Sequence, residues 1–268
     1  MNLPAGAEIV AGIAVSFSRT DGSLQAIQLR SRGRTAGSCF TLVILAVVME
    51  GAAPRPAAAE VVIDDFEEVQ DAQILSATLA TSPVGSTLDH ASILGGERDA
   101  QVLVTAAAGT MTVNTSDASG HVNHSQEAGL RGRTILTWDG NDNNAGVLNP
   151  IGLGAVNLSV PPNDAFLLRV ISADVASQLQ IRVYTDAANF SAATVAIPAG
   201  TTNTTLSIPF SSFFAVAGAG SNFASVGAIE MTVNSAGTPS SGLDIVLEYL
   251  IVGAAGTPVE LLDFEVSR

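Results

Sequence analysis

The chain has 268 residues, a formal net charge of −14, 47% hydrophobic residues and only 13% charged ones. That is too little charge for a disordered chain or a coiled coil. It is also too acidic for a protein that grips a phosphate backbone, so nucleic acid is excluded as a partner.

Arg30, Arg32 and Arg34 precede an apolar run over 39–49 that Glu50 closes, and Ala57, Ala58 and Ala59 then offer a small-residue cleavage site. Charge, short apolar core and small residues in that order are the pattern of a secretory signal peptide, which predicts a secreted protein, extracellular or at the cell surface. The run is shorter than the ~20 apolar residues a membrane-spanning helix takes, so no membrane span is expected in the processed chain. Residues 1–29 lengthen this leader beyond the usual ~15–30 residues; a misassigned start codon and a long natural n-region each account for that. Residues 1–59 are therefore read as a leader and 60–268 as one domain. The single cysteine, Cys39, falls in the leader, leaving 60–268 without disulfides or cysteine metal ligands. Processing removes Arg19, Arg30, Arg32, Arg34 and Arg55 but only Glu8, Asp21 and Glu50 among the acids. The remainder is strongly acidic, hence soluble, with spare carboxylates for calcium, whose extracellular level suits weak sites.

Beyond the leader, apolar and polar residues alternate with period two. Strands are expected at 61–66, 100–105, 110–115, 134–139, 155–160, 166–172, 178–184, 192–197, 204–208, 226–234 and 243–251. In 178–184, Leu179, Ile181 and Val183 face one way, and Gln178, Gln180, Arg182 and Tyr184 the other. Tyr249 shares the apolar register of Ile245 and Leu247, with Asp244 and Glu248 on the polar face. Turn residues separate the runs at 139–140, 161–164, 198–200, 218–220 and 238–242. Helical spacing is confined to short pieces near 70–79 and 211–216. Short strands with regular turns predict an all-β fold, an antiparallel β-sandwich or jelly roll.

Five strings carry a family likeness: Val62-Ile63-Asp64-Asp65-Phe66-Glu67, Ile93-Leu94-Gly95-Gly96-Glu97-Arg98-Asp99, Leu136-Thr137-Trp138-Asp139-Gly140, Gly152-Leu153-Gly154-Ala155-Val156-Asn157-Leu158 and Val183-Tyr184-Thr185-Asp186. Their order over 60–252 resembles a group of uncharacterised secreted bacterial proteins of the PEP-CTERM-associated, galactose-binding-like jelly-roll type. The resemblance implies the fold but no activity. The apolar helix and basic tail of the tagged members do not follow 257–268, a segment that reads as a final edge strand or as a sorting signal.

Asp139, Asn141 and Asn143 have the alternate spacing with which a loop wraps a hard cation, here calcium. An Asx-rich turn uses the same residues. The resemblance implies a second calcium position beside the first strand, with Asp65 or Glu67 as ligand and a late-strand acid such as Glu248; a charged edge strand is the alternative. His121, His124 and Asp117 make an incomplete zinc set in what reads as a polar loop. For sugar stacking, Trp138 and Tyr184 are the candidate ligand-binding residues, Trp138 also being a natural core residue, and Phe213 and Phe214 form a small loop patch. No Gly-x-Ser-x-Gly elbow is present and no carboxylate pair stands out. The expected function is therefore an exported, non-catalytic module that binds carbohydrate or another cell-surface polymer. The alternatives are a self-associating structural or adhesive surface protein and, third, a polysaccharide or ester hydrolase.

Overall fold

Alternation of period two resolves into two antiparallel sheets stacked face to face. A computed structural model describes residues 60–70, 75–115 and 120–256, all within one compact unit, Ala57–Arg268. The segment 1–59 expected to be a leader, Asp117 and the segment 257–268 lie outside the described residues. No helix among the described residues is long and apolar enough to cross a membrane.

One sheet contains β1 (Val61–Asp64), β2 (Leu75–Ala77), β5 (Met111–Thr115), β6 (Val122–Gln126), β8 (Ala165–Ala173), β11 (Thr201–Pro209) and β14 (Asp244–Gly253). Its order is β11-β8-β14-β6-β5-β2, with β1 added on β14. The other contains β3 (Val84–Asp89), β4 (Glu97–Ala106), β7 (Arg131–Trp138), β9 (Ser177–Asp186), β10 (Asn189–Ile197), β12 (Phe214–Ala217) and β13 (Ala228–Val233). Its order is β12-β10-β9-β13-β7-β4-β3. The chain changes sheet at β2–β3, β4–β5, β6–β7, β7–β8, β8–β9, β10–β11, β11–β12 and β13–β14, as a jelly roll does. Inward residues of alternate positions make the core: Val102, Leu136, Ile181 and Met231 from one sheet meet Phe166, Leu168, Ile245 and Val252 from the other, all buried. Each contributes about 1.5–3 kcal/mol relative to exposure.

Several elements differ from the alternation reading. Segment 155–160 is not a strand; Val156 makes a single bridge to Val226, and Leu158 N–H donates to the Phe223 carbonyl, so its backbone pairs with a loop. Residues 75–77 and 214–217, near the two helical readings, are strands, the second preceded by a 3-10 turn at Phe210–Ser212. The His121 region enters β6 rather than a loop. Bulges on both sides of Leu247 shift the register of β14, so Leu250 and Val252 enter the core, while Tyr249 packs with Ala165, Leu167 and Ile251 instead of sharing the Ile245 face.

A buried polar network ties the sheets together. The Arg98 Nη1 donates to Asp64 Oδ1 and Oδ2 at 3.1 and 3.0 Å, and Trp138 Nε1 donates to Asp64 Oδ2 at 3.0 Å. The Phe66 amide donates to Asp64 Oδ1 at 2.9 Å, and Arg98 Nη2 donates to the Glu68 carbonyl at 3.0 Å. Both charges are enclosed, Arg98 fully and Asp64 to 1% exposure. Burial pushes the Asp64 carboxyl up, and Arg98, Trp138 and the Phe66 amide pull it back. Removing one member of such a pair strands the other charge. Asp64→Asn is expected to cost about 3–5 kcal/mol in urea denaturation; a loss below roughly 1 kcal/mol would contradict this role.

His124 of β6 reaches across the sandwich, its Nδ1 within 2.7 Å of the Thr134 hydroxyl on β7. Burial drives its pKa from 6.5 down to about 3. Below pH 6.5 the unfolded chain takes up a proton that the folded chain refuses until about pH 3. Stability is therefore full above pH 6.5 and falls with pH by about 1.4 kcal/mol per unit from this group alone. The stability difference between the native protein and His124→Asn, measured by urea denaturation at stepped pH, should shrink at that rate as pH falls. A difference constant with pH would refute it.

Candidate functional site

Strand register sets the outer face of the β3-containing sheet. Thr87 lies opposite Asp99, Asp99 opposite Thr137, Thr137 opposite Glu230, and Glu230 opposite Arg182. The next outward row runs Gln101, Ile135, Thr232, Gln180 and Thr194. Because side chains two residues apart on a strand point the same way, these two rows form a largely polar pavement across six strands, β3 to β10. Arg182 Nη1 donates to Glu230 Oε1 at 3.3 Å, and Arg182 Nε donates to Gln180 Oε1 at 2.9 Å. Burial raises the Glu230 carboxyl and Arg182 lowers it.

The 139–150 loop after β7 folds over one end of this pavement. A cleft of about 210 Å³ opens beneath it, lined by Asp99, Gln101, Ile135, Thr137, Glu230 and 145–148. It adjoins a wider, shallower depression of about 430 Å³ between β3 and the same loop. Gln101 Nε2 donates to the Ala145 carbonyl and so pins the loop to the sheet. The loop's stem is a backbone-on-backbone contact: a Cβ on Gly152 would lie 1.7 Å from the Asp139 carbonyl oxygen, which requires glycine there.

Under the loop sits a group of carboxylates. Glu97 and Asp99, two apart on β4, both face outward, yet the loop leaves them only 1% and 2% exposed. Oxygens of Glu97, Asp99 and Asp142 lie within 4.8 Å of one another. The Asn143 amide donates to both Glu97 oxygens at 3.1 and 3.0 Å, and the Asn149 amide donates to Asp139 Oδ2 at 2.6 Å. Burial pushes Asp99 up to about 8, helped by Glu97, Asp139 and Asp142. Glu97 and Asp139 are likewise raised by burial and lowered by their amide donors.

The predicted site residues are distributed differently from the sequence reading. Trp138 is fully buried with its indole N–H on Asp64, so it is a core residue and not a stacking platform. Tyr184 is corrected too: it is 7% exposed, its ring stacked on Phe190 at 4.8 Å. Asp139 does reach the carboxylate group, but Asn141 and Asn143 do not converge with it. Asn143 Nδ2 donates to Asn141 Oδ1 at 3.1 Å, and Asp142 and Asn144 form successive Asx turns. Asp65 Oδ1 accepts from the Glu67 amide at 3.2 Å, while Glu248 pairs with Arg169 at 3.5 Å. Asp65, Glu67 and Glu248 form no three-ligand group among the described residues. His124 is consumed in the core. Phe213 joins an aromatic group with Phe166 and Phe223, and Phe214 is exposed. Glu97, Asp99, Asp142, Arg182 and Glu230 escaped the sequence reading as site residues; the available signal was the two-residue spacing of Glu97 and Asp99 in a strand.

No family model matches the sequence, and no curated protein matches it. Among solved structures, the chain is similar to a family 11 carbohydrate-binding module from Clostridium thermocellum in complex with a β-1,3-1,4-mixed-linked tetrasaccharide. The identity is 14% and the TM-score 0.36, over 73% of this chain and 96% of that one. The family 11 module of the C. thermocellum cellulosomal cellulase Lic26A-Cel5E matches at the same identity and TM-score, over 74% and 96%.

The placement of Trp138 has a direct consequence. As the only tryptophan, it should emit at short wavelength and resist iodide quenching in the native protein. Trp138→Phe should cost about 1–3 kcal/mol by leaving Asp64 one donor short. Emission that iodide quenches as freely as in the urea-unfolded chain would contradict the burial.

Proposed function

We propose that this chain is an exported, non-catalytic β-sandwich module that binds carbohydrate or another hydroxyl-rich surface polymer on the outer face of the β3-containing sheet. The observation that carries the reading is the pair of polar rows that run into the cleft beneath the 139–150 loop. Gln180, Arg182, Thr137 and Glu230 present donors and acceptors in fixed positions, as recognition of sugar hydroxyls requires. The Arg182–Glu230 ion pair keeps both groups oriented toward a ligand and ties up the carboxylate. With Trp138 and Tyr184 withdrawn into the fold, hydrogen bonding rather than ring stacking supplies the affinity. The signal-peptide pattern in the sequence of 1–59 supports export.

Affinity electrophoresis against a panel of soluble neutral and acidic polysaccharides tests this. At least one should retard the protein. Arg182→Ala should weaken that binding roughly 10- to 100-fold, the equivalent of losing one charge-assisted hydrogen bond. No retardation by any member of the panel, or retardation that Arg182→Ala leaves unchanged, would overturn the proposal.

A second reading, self-association, is favoured by one observation. β12 is an edge strand paired only with β10, and Phe214 and Val216 on it are 58% and 49% exposed. Exposed apolar edges invite pairing with another chain. Light scattering that finds a strict monomer at high concentration would remove this reading.

A further inference from the structure

We propose that Glu97, Asp99 and Asp142 hold a divalent cation, calcium by ligand chemistry, at the base of the 139–150 loop. This site differs from both calcium positions expected from the sequence, and it stands whether or not the neighbouring face binds a polymer.

The geometry comes first. Two oxygens on one calcium ion are at most about 5 Å apart, given bonds of 2.3–2.6 Å. The three carboxylates meet that limit, with oxygens within 4.8 Å of one another. The second observation is independent of their clustering. Asp99 is 2% exposed, and its Oδ1 is buried beside the group with no hydrogen-bond partner. A buried carboxylate oxygen is normally satisfied by a donor or a cation. The neighbouring position on β4 shows what satisfaction looks like: Arg98, facing the other way, answers Asp64 with two hydrogen bonds. On the outer side, no arginine or histidine pairs with Glu97, Asp99, Asp139 or Asp142 among the described residues.

The donor set selects the ion. All ligands are carboxylate oxygens, without sulfur or imidazole, which suits a hard cation and disfavours zinc or copper. The Asn143 amide on Glu97 and the Asn149 amide on Asp139 act behind the ligands and hold them in place. Since Asp142 comes from the loop and Glu97 and Asp99 from the sheet, a bound ion would clamp the loop over the cleft.

Terbium is a suitable probe in the full chain, because Trp138 immediately precedes Asp139 and can sensitise its luminescence. Terbium emission should saturate near one ion per chain and be displaced by calcium at about 1 mM, the range of extracellular modules. Calcium at that level should raise the thermal midpoint by roughly 1–5 °C over the protein in EDTA. Glu97→Gln and Asp142→Asn should abolish both effects, whereas Asp65→Asn, just after the first strand, should leave them intact. Asp99→Asn guards against misfolding as an explanation: it relieves carboxylate repulsion, so its midpoint in EDTA should match or exceed the native one while the calcium increment disappears. Absence of sensitised emission together with a calcium-independent midpoint would overturn the site. So would calcium binding retained in Glu97→Gln and Asp142→Asn.

Discussion

The buried contact among Asp64, Arg98 and Trp138 is the constraint on which the remaining structure depends. It joins β1 in one sheet to β4 and β7 in the other through bonds of about 3 Å, in a region that excludes water. Such a pair is not a large net source of stability, because desolvation offsets most of the attraction. Its force is in the penalty for any arrangement that separates the partners. A one-residue slip of β4 would send Arg98 to the outside and draw Glu97 and Asp99 into the core. The register of β4, and with it the position of every outward group on that strand, follows from this one interaction.

The same strand therefore carries two opposite electrostatic environments. Inward, one carboxylate is answered by a guanidinium, an indole and an amide. Outward, Glu97 and Asp99 are enclosed by a loop that supplies backbone amides but no cation. The loop can approach this closely because its stem brings Gly140 and Gly152 backbone to backbone, where a side-chain carbon would collide with the opposing peptide. The cost of the enclosure shows in the raised Asp99 carboxyl. Excess negative charge held at a loop base is an arrangement that folding alone does not favour, and that is why it draws attention to ligand binding.

The outer face next to this group is largely polar and poor in exposed aromatic rings. Trp138 faces inward with Leu136 and bonds Asp64, and Tyr184, which does lie on the outer side, is covered by Phe190, the residue directly opposite on β10. What is left is a row of amides, hydroxyls and one ion pair. Under the proposed function, a ligand on a surface of that kind would be held through directional hydrogen bonds, which favours selectivity over strength.

The amino-acid sequence by itself determined the class of fold. Alternation such as Leu179, Ile181 and Val183 leaves only one way to bury an apolar face, and all the expected strands but 155–160 overlap observed ones. It also marked the Asp- and Asn-rich turn at Asp139 as a place where oxygen ligands gather. Tertiary structure alone decided three other matters. Alternation assigns each residue to a face but cannot tell whether that face is later covered. Hence Tyr184 sits on the expected side yet is enclosed, and Glu97 and Asp99 are buried on what would otherwise be a solvent face. Bulges in β14 shift Tyr249 away from the Ile245 face, since one extra residue breaks the period that sequence reasoning relies on. The carboxylate group joins residues from β4 and from a loop more than forty positions later. Such convergence is a property of the register between β4 and β7, and no local pattern encodes it.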